Sequence, residues 1–305
     1  MLQMLLYYCI VRPLSLLPLA LLYVITDFFY LLLISFAPYR SKVILGNISR
    51  SFPELSTKEH KKIQRKFYRH FCDILAEGIK NLSLSEKDYK KRFKVSNPEL
   101  VEKIYENNQN VLLVSGHYNN WEWLVTSQNM LFSHQAYGIG MPLTSKFWDK
   151  KINEKRSRLG MKVVNAKNYK ESLNNQELKS VLVLSDQSPG DSTKSYWMNF
   201  LNQQTAVLFG AEIMAHQLNY AVVYFTTHKV KRGHYEMELK LITDNPKNMN
   251  WGEITEAHTR LLEKEIMAKP EFWLWSHKRW KRDVPNDIDA LREKQKHFFN
   301  EKFNK

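Results

Sequence analysis

The sequence predicts an α/β fold: a single domain with a central mixed sheet flanked by helices, preceded by an N-terminal membrane-anchoring helical segment. Three observations predict it. Residues 1–37 form an almost continuous apolar run carrying only two charges, Arg12 and Asp27. A basic amphipathic stretch follows. From about Val95, short apolar runs alternate with helical patterns, the texture of a sheet with crossover helices.

The chain therefore divides into an anchor (1–37), a basic helical lead (38–94), an α/β core (95–285) and a charged C-terminal tail (286–305). Its 305 residues and 44% hydrophobic content suffice for one substantial core. The formal charge of +14, with pI near 9.5, predicts an acidic partner: nucleic acid, anionic lipid or an acidic protein. The two cysteines, Cys9 and Cys72, lack the neighbours of a disulfide framework or metal site, so a reducing, cytoplasmic setting is expected for the core.

In the anchor, Leu14 to Ala37 is long enough to cross a bilayer at roughly 20 residues per span. It lacks the basic start and short apolar core of a cleaved signal peptide. Pro13, Pro18 and Asp27 interrupt it, leaving a kinked or half-inserted helix as the alternative. Arg40, Lys42 and the basic lead would remain cytoplasmic.

Asn47 to Pro53 reads as a short irregular link. Ser56 with Glu59 is a capping-box pair. The helix it opens places Ile63, Phe67, Phe71, Ile74, Leu75 and Ile79 on one face, with Lys58, Lys61, Lys62, Arg65, Lys66 and Arg69 opposite. Behind an anchor, such a face suits anionic headgroups, each cation contributing about 1 kcal/mol near the surface.

In the core, strands are expected at Val111 to Val114, Ala136 to Ile139, Val181 to Leu184, Ala221 to Phe225 and Tyr235 to Ile242. Helices are expected at Asn120 to Met130, Ser145 to Arg158, Ala206 to Gln217 and Trp251 to Ala268. Asp287 to Lys305 reads as a surface helix or loose tail.

Among ten histidines, His117 stands apart. It follows a buried strand and the Ser115-Gly116 turn, with Glu122 one helical turn or so away. An imidazole oriented by a carboxylate is a general base. Ser115 lacks a nucleophile elbow and Cys72 lacks an activating neighbour, which disfavours a covalent acyl-enzyme. The spacing is not that of a zinc-binding helix, so no metal is expected. A second cluster, Ser185 to Gly190, ends another apolar strand, and parallel strand ends converge, which would bring Asp186 and Gln187 toward His117. A third, Phe272 to Arg282, interleaves aromatic and basic residues, suited to nucleic acid or lipid. The anchor favours lipid.

The chain resembles the late acyltransferases of lipid A biosynthesis, within the lysophospholipid acyltransferases with a His-x4-Asp/Glu motif. The likeness runs nearly end to end. It rests on the apolar lead, Ser51 to Glu54 (SFPE) with the KFYRHF helix, Gly116 to Trp123 (GHYNNWEW), the strand ending in Asp186-Gln187, and Trp273 to Lys281 (WLWSHKRWK).

The resemblance implies transfer of a fatty acyl chain from acyl carrier protein, or from coenzyme A, to a hydroxyl of a lipid A precursor. The place would be the cytoplasmic face of a Gram-negative inner membrane, with no cofactor and no nucleic acid. His117 would be the base and Glu122 its orienting partner. Asp186 matches a family active-site aspartate, and Arg279 would contact phosphate or the carrier. One departure is Gly140-Met141-Pro142, where many members carry Arg before the proline; Lys146, Arg156 or Arg158 would have to substitute. An acyltransferase acting on another membrane lipid, and a membrane-tethered lipid-binding protein with a structural His117, are the alternative readings.

Overall fold

The apolar run at Val111 becomes the middle of the sheet. In the computed structural model, which describes residues 1–36 and 39–303, the strands are β1 (Phe93–Val95), β2 (Val111–Ser115), β3 (Gln135–Gly140), β4 (Lys162–Asn165), β5 (Lys179–Leu184), β6 (Tyr196–Phe200), β7 (Gln203–Val207), β8 (Ala221–Lys231) and β9 (His234–Thr243). Seven of them form one sheet in the order β1-β9-β8-β2-β5-β3-β4. Only β8 and β9 pair antiparallel there; the other neighbours run parallel. Every residue of β2 is buried, as a central parallel strand covered on both faces requires. The expected α/β class holds, and the five expected strands all form.

The covering helices are α1 (Leu19–Ser35), α2 (Ser41–Ser51), α3 (Thr57–Lys80), α4 (Trp121–Ser127), α5 (Lys146–Ser157), α6 (Gly210–Leu218), α7 (Glu253–Ala268) and α8 (Ile288–Phe303). The capping box is present: the Ser56 hydroxyl accepts from the Glu59 N–H while the Glu59 carboxylate accepts from the Ser56 N–H.

Two expectations are corrected, and one of the two readings of the tail is selected. The link at Asn47 to Pro53 is largely the end of α2, whose weak helix formers serve tertiary contacts: Asn47 donates at 2.9 Å to the carbonyls of Trp275 and His277. The helix expected from Ala206 begins only at Gly210. Residues before it form β7, joined to β6 through Leu201 and Asn202, both at positive φ as a tight hairpin demands. Of the two readings of the tail, the helix forms, over Ile288–Phe303. Phe299 is 1% exposed and packs on Phe209.

The anchor also changes. Leu17 turns out of helix before Pro18, so the apolar run is broken and α1 has 17 residues. Among the described residues no helix is long and apolar enough to cross a membrane; Ala37, the expected end of the span, lies outside them. Leu22 and Tyr23 of α1 are buried, whereas Val24, Phe28, Phe29 and Leu31 are exposed. Asp27 faces protein, paired with Arg232 and with Arg69 at 3.3 Å. That pairing makes a carboxylate tolerable in an apolar run.

Buried Glu212 holds the start of α7 by accepting from the N–H groups of Gly252 at 2.6 Å and Thr255 at 2.8 Å. Burial raises its carboxyl to about 7, against the opposing pull of those donors. Its folded pKa thus exceeds the ordinary 4.5. The associated stability is complete below pH 4.5 and lost as pH rises through 7. Thermal scans should show Tm falling across that window, and Glu212→Gln should flatten the fall; an equal slope in the variant would refute the assignment.

Candidate active site

Parallel pairing of β2 with β5 sets Ser115 against Leu184, and the Ser185 N–H donates to the Ser115 carbonyl at 2.9 Å. Two residues beyond each strand, His117 and Asp186 therefore emerge side by side. His117 Nδ1 lies 2.6 Å from Asp186 Oδ1, and the His117 backbone N–H donates to Oδ2 at 2.8 Å. The Trp273 indole N–H donates to the same Oδ2 at 2.8 Å. Burial by itself would raise the Asp186 carboxyl; the His117 ring and the surrounding N–H donors reverse this and hold it at about 2. With Nδ1–H donating to Asp186, Nε2 presents a lone pair. The Gln187 amide nitrogen lies 3.2 Å from it.

Close approach explains Gly116. A Cβ there would sit 2.6 Å from Leu262 Cδ2 and 3.0 Å from the Asp186 carboxyl, so any side chain would push the carboxylate off the imidazole. The next residues each have a local task. Asn119 adopts the left-handed region at φ 51°, which Asn tolerates. Asn120 caps α4 by accepting from the Trp123 N–H at 3.0 Å, and its amide donates to buried Glu77. Glu77 also accepts from Tyr23 at 2.6 Å and Tyr235 at 2.7 Å. One carboxylate thus joins α1, α3, the sheet and the His117 loop.

The closing segment completes the site. Tyr118 and Trp273 form an antiparallel bridge, with the Leu274 N–H on the His117 carbonyl at 3.2 Å and the Asn119 N–H on the Phe272 carbonyl at 3.0 Å. His277 Nε2 accepts from the Ser188 N–H at 3.0 Å, a role requiring a neutral ring. Burial lowers its pKa to about 4.

The expected pairing of His117 with Glu122 is corrected: the carboxylate on Nδ1 is Asp186. Glu122 instead holds Lys155 at 2.7 Å and Arg156 at 2.5 Å, both from α5. Burial works to raise its carboxyl, but the two cations hold it well below the ordinary carboxylate range. Four intervening residues suggested a neighbour; sheet register supplied another. Arg156 lines a cavity of about 220 Å³ together with Met141 and Pro142. It therefore stands beside Met141, the position where the resemblance led to an expected Arg.

Two expected contacts are structural instead. Arg158 donates to the carbonyls of Asn81 at 3.2 Å and Leu84 at 2.7 Å. Arg279 is 3% exposed and donates to the Ala206 carbonyl at 2.8 Å, too deep for a carrier or surface phosphate. Lys146 is exposed on α5. Trp273 and His277 were missed as site residues, although the aromatic-basic run containing them was the visible signal. Burial raises the Cys72 thiol to about 11, which removes it as a nucleophile. Among the described residues, no cluster of three metal-ligating side chains occurs.

The model of the bacterial lipid A biosynthesis acyltransferase family matches residues 1–282. The chain belongs to this family. No curated protein matches it. Among solved structures, a chain of the Euglena gracilis mitochondrial ATP synthase overlaps 81% of this chain and 83% of its own length at 7% identity, with a TM-score of 0.19. So low a score carries no weight on fold or function. As a lipid A biosynthesis acyltransferase, the protein places the family's His-x4-Glu motif at the open end of the two central strands, with the matched region taking in β1 to β9 and the closing segment.

Proposed function

We propose that this acyltransferase moves a fatty acyl chain from an acyl carrier protein thioester to a hydroxyl of a lipid A precursor by direct, His117-assisted attack. The observation that carries the reading is the His117–Asp186 pair at 2.6 Å, with a Gln187 amide rather than a nucleophile against Nε2. The acceptor hydroxyl displaces that amide and gives its proton to Nε2 as its oxygen attacks the thioester carbonyl. Collapse of the tetrahedral intermediate breaks the C–S bond. The leaving thiolate then takes the proton from His117, so the base is regenerated without a covalent acyl-enzyme. Asp186 is the orienting group. Glu122, Lys155 and Arg156 leave one net positive charge near the motif, suited to an anionic headgroup phosphate, and Arg156 supplies the cation absent at Met141.

The reading includes attachment at the cytoplasmic face of the inner membrane, with the exposed apolar side of α1 embedded and the α3 lysines on anionic headgroups. An embedded rather than crossing helix accords with its 17 residues.

The test is transfer in vitro: purified protein, an acyl carrier protein thioester and a detergent-solubilised lipid A precursor, with products identified by mass spectrometry. A mass gain of one acyl group is expected, and its hydrolysis by mild base marks an ester. Acylation of a glycerolipid instead would favour the other membrane-lipid reading, and no product with any donor would sink the enzyme assignment. For a +14 chain and an acidic carrier, KM for the carrier thioester should rise severalfold as salt increases, while the coenzyme A thioester responds less. Salt indifference would remove the carrier as donor.

A further inference from the structure

Helix α8 lies beyond residues 1–282, the segment shared with the family. It nevertheless forms one wall of an open cavity of about 700 Å³, whose other walls are the sheet and α6. Leu291, Phe298 and Phe299 of α8 face Ile139, Val183 and Met214 across it. Two features connect this groove to the reaction centre. Ser185 lines it and is bonded directly to Asp186, the residue against His117. The loop carrying Gln187 away from His117 returns as Thr193 and Lys194 at the groove. Its lining also carries charge: Lys194, Lys294 and Lys302 line an otherwise mainly apolar trough, matching a donor whose chain is apolar and whose carrier is acidic.

We infer that α8 and α6 enclose the acyl chain of the donor thioester, and that α8 sets which chain lengths this protein accepts. The inference rests on the proposed acyl transfer and adds the location of the chain. The carboxyl end lies toward Ser185 and the methyl end runs along α8. The occupant is the donor chain, and not an acyl chain already present on the acceptor.

Gly210 offers a direct probe. It lines the groove, and a Cβ placed there meets no atom within 4 Å, so a larger residue enters the trough without disturbing the fold. The experiment compares kcat/KM of the full chain for saturated acyl carrier protein thioesters from octanoyl to palmitoyl, against one lipid acceptor. Gly210→Leu is expected to depress the longest donors at least roughly 10-fold relative to the shortest, since a hydrophobic pocket discriminates steeply by methylene. Phe298→Ala removes a ring that is 63% exposed and is expected to shift the preference toward longer chains. If Gly210→Leu does not fold, the exposed-site variant carries the test alone. A wild-type enzyme that transfers acyl groups while both variants keep its chain-length profile would overturn the groove and leave the proposed reaction standing. Wild type inactive with every thioester would overturn the reaction itself. Variants that change discrimination among acceptors differing in acyl number, but not among donors, would assign the groove to the acceptor and refute the inference.

Discussion

Asp186→Asn should lower kcat for acyl transfer by roughly 10³- to 10⁴-fold, with little change in KM, because the wrong tautomer of an otherwise intact base is useless. Oδ2 of Asp186 accepts two N–H groups, from the His117 backbone and Trp273, while Oδ1 accepts one from the imidazole. The single carbonyl oxygen of Asn satisfies the two donors best, which turns its NH₂ toward Nδ1. His117 must then carry its proton on Nε2, where it can no longer accept one from the substrate. His117→Ala should lose a similar amount, and the double variant little more, since the residues act as a unit. Glu122→Gln is the informative contrast. Acting through Lys155 and Arg156, it should alter KM for the anionic acceptor while leaving the pH dependence of kcat in place. Should Asp186→Asn stay within threefold of wild type while Glu122→Gln abolishes turnover, the assignment of the orienting group is wrong.

Glu77→Leu should destabilise the fold by about 3 kcal/mol or more, as removing a fully buried hydrogen-bonded carboxylate strands its partners. Tyr23, Tyr235 and the Asn120 amide would each lose an acceptor in the dry interior. Because Asn120 also caps α4, the loss should reach the His117 loop. Urea unfolding followed by tryptophan fluorescence measures the first effect and acyl transfer in the surviving folded fraction the second. An unchanged midpoint would show that the cluster contributes nothing.

The sheet centre was legible because β2, β5 and β8 are buried on both faces and so read as apolar runs. Strands β1 and β4 are short and partly polar; they take their conformation from neighbours distant in sequence, and no local pattern announces them. The hairpin of β6 and β7 was obscured because its apolar residues continue without a break into the helical pattern of α6. For the site, the convergence of Asp186 and Gln187 on His117 followed from parallel strands alone. The partner of the imidazole did not, because that choice depends on register: Ser115 against Leu184 brings Asp186 level with His117, whereas the local turn carries Glu122 to α5. Arg158 and Arg279 looked available as cations because charge is visible in sequence, whereas the backbone carbonyls that engage Arg158 and the depth of Arg279 are not.

The bridge between Tyr118 and Trp273 bears on biosynthesis. Translation is directional, so the apolar N-terminal helices emerge first, while the loop holding His117 lacks its backbone partner until more than 150 further residues have been added. The first strand of the sheet, β1, waits similarly for β9. A truncated nascent chain therefore has the His117 loop unassembled, and the site is completed only in the finished polypeptide.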